Sequence, residues 1–206
     1  STQSRSSAAS DVYKRQGPLD FQIPSRSLTA LIGPNGAGKT TLLTMLGRLL
    51  TPDAGDILIE GKSLSKYTQS RFATQVAILR QENHFMTRLT VKQLVAFGRF
   101  PYSQGRLTPS DYEIIDRYID FLNLSPLADR YLDQLSGGQR QRAYVAMVLA
   151  QETPYILLDE PLNNLDIASS IQMMQHLRYV VKSFDRTIVA VLHDINMAAR
   201  YADYIY

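Results

Sequence analysis

The hydrophobic residues of this 206-residue chain fall into short apolar runs that alternate with longer amphipathic stretches. Four of the runs carry few polar residues on either face, which is typical of strands buried on both sides. They are Leu28–Ile32, Val76–Leu79, Tyr155–Leu158 and Thr187–Leu192. Asp56–Glu60, followed by Gly61, predicts a further strand that ends in a turn. The alternation predicts an α/β fold with a largely parallel core sheet.

Capping residues and apolar spacing predict the helices between these runs. In Thr108–Leu122, Thr108 is suited to the N-cap and Pro109 to the first helical position. Ile115, Ile119 and Leu122 then recur at a spacing that makes one face apolar. Similar reasoning predicts helices over Lys39–Leu50, Ser136–Ala150 and Ile167–Val181.

Composition narrows the possible functions. Hydrophobic residues make up 45% of the chain and charged residues 20%, which is typical of globular domains. No uncharged apolar run approaches the ~18 residues that a membrane-spanning helix needs. The net charge is +3, and the first sixteen residues contribute two of these charges, so the remainder lacks the basic excess expected of a nucleic-acid-binding protein. The absence of cysteine excludes disulfides, thiolate metal sites and a cysteine nucleophile.

The two ends of the sequence differ from the rest. Residues 1–16 are rich in Ser and Ala, and we expect them to be a non-native or disordered tail. Asp11–Gln16 resembles the translation of a sequencing adapter, although a natural disordered extension is the alternative. At the other end, Asp203–Tyr206 begins a new apolar run. We therefore expect a domain truncated at both ends.

A phosphate-binding loop lies between the first predicted strand and the helix that follows it. Its residues are Gly33, Pro34, Asn35, Gly36, Ala37, Gly38, Lys39 and Thr40, with Thr41 directly after them. Glycines allow several backbone N–H groups to converge on one phosphate, and the helix N-terminus adds partial positive charge. The motif predicts binding of a nucleoside triphosphate, with Lys39 at the outer phosphates and the Thr40 hydroxyl as an Mg²⁺ ligand. On its own it leaves kinases, GTPases and motor ATPases open.

Two adjacent acids end the strand that begins at Tyr155. Neighbouring residues of a strand point to opposite faces, so Asp159 and Glu160 can have different roles. We expect Asp159 to bind Mg²⁺ and Glu160 to act on an attacking water as general base. A capping pair at a strand-to-helix turn is the alternative.

The sequence Leu135, Ser136, Gly137, Gly138 and Gln139 resembles the signature of the ATP-binding cassette of ABC transporters. The motif also predicts a second anion-binding site. Ser136 is suited to cap a helix, and the glycines after it leave the first N–H groups of that helix exposed. The resemblance covers Gly17 to Tyr206. It implies a P-loop NTPase, with a RecA-like core and a helical subdomain over about residues 82–150. It also implies head-to-tail dimers in which this signature completes the partner's ATP site.

Further positions match the same family. Gln81 resembles the glutamine that reaches Mg²⁺ and the attacking water beside the membrane subunit, and Asp166 resembles the loop that crosses the dimer interface. His193 resembles the histidine that contacts the γ-phosphate, so the catalytic set is Glu160, His193 and Gln81. His84 and His176 match nothing, and we interpret both as structural. The aromatic residue that stacks on adenine would lie near Ser10 and is expected to be missing, as are the strands after His193.

The finer resemblance is to cassettes of iron-chelate importers, in particular those for petrobactin-type ferric siderophores. It rests on Phe97–Thr108, Tyr131–Gln134 and Leu162–Asp166. It implies a membrane permease as partner, an indirectly associated substrate-binding protein, and a peripheral location at the cytoplasmic face of the cell (inner) membrane. Gly98–Arg106 fits either a permease contact or an ordinary loop.

Two other functions are alternatives to transport. A soluble ABC ATPase outside transport would have a long coiled-coil insertion or a second cassette. The 95 residues between Lys39 and Leu135 show no sustained heptads, which excludes the insertion but leaves a second cassette open. A regulatory module that holds ATP without turnover is disfavoured, because Glu160 and His193 are both present.

Overall fold

The apolar runs form the centre of the molecule. The computed structural model describes residues 19–81 and 88–206. Within these ranges the strands are Leu28–Leu31 (β1), Leu58–Ile59 (β2), Lys62–Ser63 (β3), Val76–Leu79 (β4), Tyr155–Asp159 (β5), Thr187–Val191 (β6) and Tyr204–Ile205 (β7). The helices are Lys39–Leu46 (α1), Gln69–Ala73 (α2), Val91–Phe97 (α3), Phe100–Ser103 (α4), Pro109–Phe121 (α5), Gly137–Ala150 (α6), Ile167–Phe184 (α7) and Ile195–Tyr201 (α8).

The main sheet has the strand order β4-β5-β6-β1-β7, and every pairing in it is parallel. The register aligns Leu28 of β1 with Ile188 of β6, and Tyr155 of β5 with Thr187 of β6. β2 and β3 form a separate antiparallel hairpin, which includes the strand expected before Gly61. The predicted α/β class and parallel core sheet are therefore confirmed.

The sheet is covered on both faces, as the apolar runs predict. Along β5, Ile156 and Leu158 pack into the cluster formed with α3, α5, α6 and α7, whereas Leu157 packs into a second cluster around Leu43 of α1. β6 alternates in the same way, with Ile188 on one side and Val189 on the other. This period of two distributes each strand between two apolar layers.

Several predicted ends differ from the structure. α1 ends at Leu46 rather than Leu50, because the chain turns at Gly47, where a Cβ would lie 2.7 Å from Ile78 Cδ1. α7 continues past Val181 to Phe184 and stops at Asp185, whose φ is 55°. Strands were not expected after His193, yet β7 pairs with β1.

Four short helices were not assigned from the sequence. α3 begins with a capping box between Thr90 and Gln93, and Asp194 caps α8. α2 and α4 have five and four residues, too few for an apolar period to repeat. The loop interpretation of Gly98–Arg106 is corrected, because this stretch contains α4.

α3, α5 and α6 pack together on one side of the sheet. Their contact is close, because a Cβ at Gly98 would collide with the carbonyl oxygen of Met147 in α6. Beside it, Arg99 donates from Nε to Asp111 and from Nη1 to the carbonyl of Ala150, both at 2.9 Å, and Arg99 and Asp111 are buried. A tightly packed helical layer therefore covers this side of the sheet.

Some expectations concern residues outside the described ranges. The tail over residues 1–16, with the adenine-stacking position near Ser10, lies there, as do Gly17, His84 and the first residues of the expected 82–150 subdomain. The limits of that subdomain, and of a domain over residues 17–206, stay predictions.

Candidate functional site

The candidate site lies at the edge of the sheet where four parallel strands end. The loop of residues 33–38 follows β1, Gln81 follows β4, Glu160 follows β5 and His193 follows β6. Carboxyl ends of parallel strands meet at one edge, which is where α/β proteins bind ligands. Four motifs that are far apart in sequence thus converge in space.

The phosphate-binding loop has the backbone that its glycines require. Gly36 and Gly38 have φ values of 77° and 90°, in the left-handed region that side chains with a Cβ rarely adopt. α1 begins at the next residue, so its first N–H groups point towards the loop. Lys39 Nζ donates to the carbonyls of Gly33 at 2.7 Å and Pro34 at 3.0 Å. The ammonium group is therefore held over the loop.

Thr40 and Asp159 meet next to this loop. The Thr40 hydroxyl donates to Asp159 Oδ1 at 3.2 Å. Asp159 is buried, and this burial raises the pKa of its carboxyl, although the Thr40 hydrogen bond opposes the shift. Thr41 lies in the first turn of α1, and its carbonyl accepts from the Thr44 hydroxyl at 2.8 Å. The two predicted Mg²⁺ ligands Thr40 and Asp159 are therefore neighbours.

The Glu160 carboxylate is surrounded by donors. Its Oε2 accepts from Gln81 Nε2 at 3.0 Å and from Asn163 Nδ2 at 2.7 Å. Its Oε1 lies 2.6 Å from His193 Nε2. The Glu160 side chain is 12% exposed and that of His193 48%, so the carboxylate lies at the inner end of this group. Gln81 and His193, the other two predicted catalytic residues, thus each contact Glu160 directly, whereas Asp159 is hydrogen-bonded to Thr40.

Two contributors escaped the sequence analysis. Asn163 lies in the stretch Leu162–Asp166 but was assigned no role, and Gln141, two residues after the signature, was assigned none. Gln141 Nε2 donates to the main-chain carbonyl of Glu160 at 3.2 Å. The position of Asn163, a polar residue three positions after Glu160, is a usable sequence signal. Nothing in the local sequence indicates the contact that Gln141 makes.

The signature motif begins α6, as predicted. Ser136 is the N-cap: its hydroxyl accepts from the N–H of Gln139 at 3.2 Å, and Gln139 Oε1 accepts from the N–H of Ser136 at 3.0 Å. This reciprocal capping box fixes the helix start, and Leu135 before it is buried. The glycines pack against the loop after β5: a Cβ at Gly137 would lie 3.0 Å from Asn164 Cβ, and one at Gly138 would lie 3.2 Å from Asn164 O.

Asp166 and His176 have clear structural partners. Asp166 caps α7 by accepting from the N–H of Ser169 at 2.7 Å, and this bond lowers the pKa of the Asp166 carboxyl. The His176 ring lies 4.6 Å from that of Phe121, and burial lowers its pKa. Asp166 as a dimer contact stays a prediction. Within residues 19–81 and 88–206, no three His, Cys, Asp or Glu side chains cluster as a metal site.

Three comparisons identify what the chain is similar to. A family model described as "ABC transporter" matches residues 17–163. The petrobactin import ATP-binding protein FatE of Bacillus anthracis is 64% identical over 189 residues, which are 92% of this chain and 76% of FatE. The petrobactin import ATP-binding protein YclP of Bacillus subtilis (strain 168) is 51% identical over 89% of this chain and 73% of its own length.

A solved structure has the same fold. It is a dimeric ATP-binding cassette in a post-hydrolysis state, bound to ADP and Pi. It is 28% identical, with a TM-score of 0.80 over 90% of this chain and 82% of that chain. The fold, the sequence motifs and the relatives therefore all indicate the same protein family.

Proposed function

The chain belongs to the ABC transporter family, and from that premise we propose that it is the ATP-hydrolysing subunit of an importer that carries iron–siderophore complexes through a membrane permease. One observation carries the enzymatic part: the carboxylate of Glu160 is held by Gln81, Asn163 and His193 at the sheet edge that also bears the phosphate-binding loop. The cargo follows from the relatives FatE and YclP, both named for petrobactin import.

ATP is the substrate at this edge. The triphosphate fits the loop of residues 33–38, whose N–H groups and the N-terminus of α1 attract anions. Lys39 already lies over the loop through its bonds to Gly33 and Pro34, so its charge can move to the outer phosphates over a short distance. The predicted ATP-binding residues thus form one continuous cradle.

Mg²⁺ fits the donors next to the cradle. The Thr40 hydroxyl and the Asp159 carboxylate are 3.2 Å apart, and both are hard oxygen ligands of the kind that Mg²⁺ prefers. The Gln81 amide would be a third ligand. The ion, when bound, would neutralise charge on the phosphate oxygens.

Hydrolysis needs a base that removes a proton from water. Glu160 takes that proton while the water oxygen forms a bond to the γ-phosphorus, and the bond from that phosphorus to the bridging oxygen breaks to leave ADP. Gln81 and Asn163 keep Oε2 in place, so Oε1 is the oxygen that exchanges its contact with His193 for the water. His193, half-exposed, can then turn to the γ-phosphate.

The active form we propose is a head-to-tail dimer, in which Ser136–Gln139 of one subunit contact the nucleotide of the other. The capping box uses the N–H of Gln139, and Ser136 at the cap is exposed, so the N-terminus of α6 can attract an anion from outside the subunit. Subunits that carry Ser136→Arg, mixed with subunits that carry Lys39→Ala, should recover one composite site and part of the turnover. No recovery would argue against this pairing.

The permease would contact the face beside Gln81. Exposed aromatic side chains continue from α3 into α4, namely Phe97, Phe100 and Tyr102. The Tyr102 ring lies 4.3 Å from the guanidinium carbon of the buried Arg99. No helix among residues 19–81 and 88–206 is long and apolar enough to cross a membrane. We propose that the subunit binds the cytoplasmic face of the cell (inner) membrane through this permease. A substrate-binding protein would deliver the iron chelate from the other side, and nucleic acid would have no role.

The relatives and the structure favour this function over a soluble ABC ATPase outside transport. FatE and YclP are both named as import proteins. Between Lys39 and Leu135, the longest described helix is α5 with 13 residues, so the described part of this segment contains no coiled coil.

The test is transport in reconstituted vesicles. The gene product is purified with a candidate ferric-siderophore permease, and uptake of ⁵⁵Fe-petrobactin is measured with ATP inside the compartment that holds the subunit. We expect uptake that Lys39→Ala abolishes. ATP hydrolysis without uptake of any ferric siderophore would overturn the importer function and leave the ATPase intact.

A further inference from the structure

The backbone of Glu160 adopts a conformation that other groups must hold. Its φ is 52°, in the left-handed region that non-glycine residues rarely occupy. Such a conformation persists only where the surrounding structure imposes it. The carbonyl oxygen of Glu160 accepts two hydrogen bonds. One comes from the N–H of Asn163 at 3.1 Å within the same turn. The other comes from Gln141 Nε2 at 3.2 Å, from a different element.

Helix α6, which supplies the bond from Gln141, packs closely against the loop of residues 160–166. Gln141 lies in the first turns of α6, close to Gly137 and Gly138. Added Cβ atoms on these glycines would lie 3.0–3.2 Å from atoms of Asn164, so the helix start and the loop already touch without a gap. α6 therefore contacts the loop of residues 160–166 at two points, and one of them is the main chain of Glu160.

We propose that Gln141 is a positioning residue for ATP hydrolysis: its amide holds the main chain of Glu160 so that the carboxylate stays aligned with Gln81, Asn163 and His193. The assignment rests on the proposed function, in which Glu160 is the base. Gln141 touches no reacting atom and acts through Glu160 alone. Because it shares a helix with the signature, it also connects the motif that faces the partner's nucleotide to the base of its own subunit.

A purely structural role for Gln141 makes a different prediction, and the chain offers a matched control. Gln151, the C-cap residue of the same helix, also donates from Nε2 to a main-chain carbonyl, that of Ala73 at 2.5 Å. Gln141→Met and Gln151→Met each remove one amide donor and keep the length of the side chain. Only the first removal reaches Glu160.

The experiment measures steady-state ATP hydrolysis by the assembled transporter. We expect Gln141→Met to lower kcat by about tenfold or more with KM for ATP within about twofold of the parent, since misplacing a catalytic group costs turnover rather than binding. Gln151→Met should keep the parent kcat. Gln141→Lys, which retains an N–H donor, should recover most of the turnover, whereas Gln141→Glu should not.

A double variant separates positioning from general damage. Because Gln141 acts through Glu160, adding Gln141→Met to Glu160→Gln should leave the residual turnover unchanged. A further loss in the double variant, or an equal kcat in the Gln141 and Gln151 variants, would overturn the proposal. If Gln141→Met does not fold, the comparison of Gln141→Lys with Gln141→Glu decides, and equal turnover in these two would overturn it. Failure of the proposed function would look different, because Glu160→Gln alone would then leave turnover unchanged.

Discussion

Replacing Glu160 by Gln is the most direct test of the site, because it changes chemistry with little change in shape. The amide oxygen of Gln can still accept from Gln81 and Asn163, which donate to Oε2 at 3.0 and 2.7 Å. The amide nitrogen then replaces Oε1 opposite His193 Nε2, at a distance of 2.6 Å in the parent. That nitrogen can only donate, so it cannot accept from His193 Nε2 as Oε1 does in the parent.

The expected loss follows from these contacts. The variant retains two of the three hydrogen bonds to the side chain, and its main chain keeps the same conformation, with a φ of 52°. Its free energy of unfolding should therefore change by no more than about 1 kcal/mol. Turnover loses the proton acceptor itself, which is worth ~10²- to 10⁴-fold. This corresponds to about 3–5 kcal/mol of barrier. Binding of ATP should persist, because the phosphate-binding loop is untouched.

The assay combines phosphate release with the oligomeric state in ATP. Turnover should fall ~10²-fold or more, and size-exclusion chromatography should show a dimer that persists in ATP and separates in ADP. Glu152→Gln is the matched control, because Glu152 has nearly the same backbone φ of 53°. Its carboxylate pairs with Arg117 at 3.0 Å, in the helical layer. This control should keep the parent turnover.

Unchanged phosphate release in Glu160→Gln would remove Glu160 from the base role. An equal loss in both variants would show that the effect comes from damage to the fold. Either result would refute the reasoning from the contacts of the carboxylate.

Three further predictions concern binding and stability. Lys39→Ala should weaken ATP binding by at least ~100-fold in a titration with a fluorescent nucleotide, because its ammonium is the full positive charge held at the loop. Gly98→Ala should lower the free energy of unfolding in urea by about 3 kcal/mol or more, because the added methyl collides with Met147 O. Asp111→Asn should lower the free energy of unfolding by about 2 kcal/mol at neutral pH, because it removes the carboxylate bonded to the buried Arg99 and leaves only that of Glu152, 3.6 Å away. The cost of this substitution should shrink in acid. The Thr108 N–H, with Arg99, lowers the pKa of Asp111 to about 2. The stabilisation by the Asp111 carboxylate is therefore fully present above the ordinary value of 3.8 and is lost as the pH falls through about 2.

Much of the fold could be predicted because strand burial and helix caps are local properties. Val76–Leu79 was predicted to the residue, and β1 and β6 each end one residue earlier than expected. The starts of α5 and α6 follow from Thr108 and Ser136, whose side chains act on residues three positions away. α1 was predicted too long because the packing of Gly47 against Ile78 decides its end, and that contact joins distant parts of the chain.

The residues of the candidate site also fall into those that the local sequence predicts and those that it does not. The loop from Gly33, the two acids and the signature could be recognised because each is a short motif whose chemistry depends on adjacent residues. Asn163 and Gln141 could not, because their importance comes from contacts with Glu160 that depend on the folded path of the chain.

The sequence by itself determined which groups are candidates for binding phosphate and activating water, since these depend on residue type and short spacing. It also determined which segments are buried strands, through their uninterrupted apolar character. Only the tertiary structure decided that β1 lies between β6 and β7, and that Gln81, Glu160 and His193 meet. Parallel strands are joined by crossovers that do not specify spatial neighbours, so these positions follow from packing and hydrogen bonding across the whole domain.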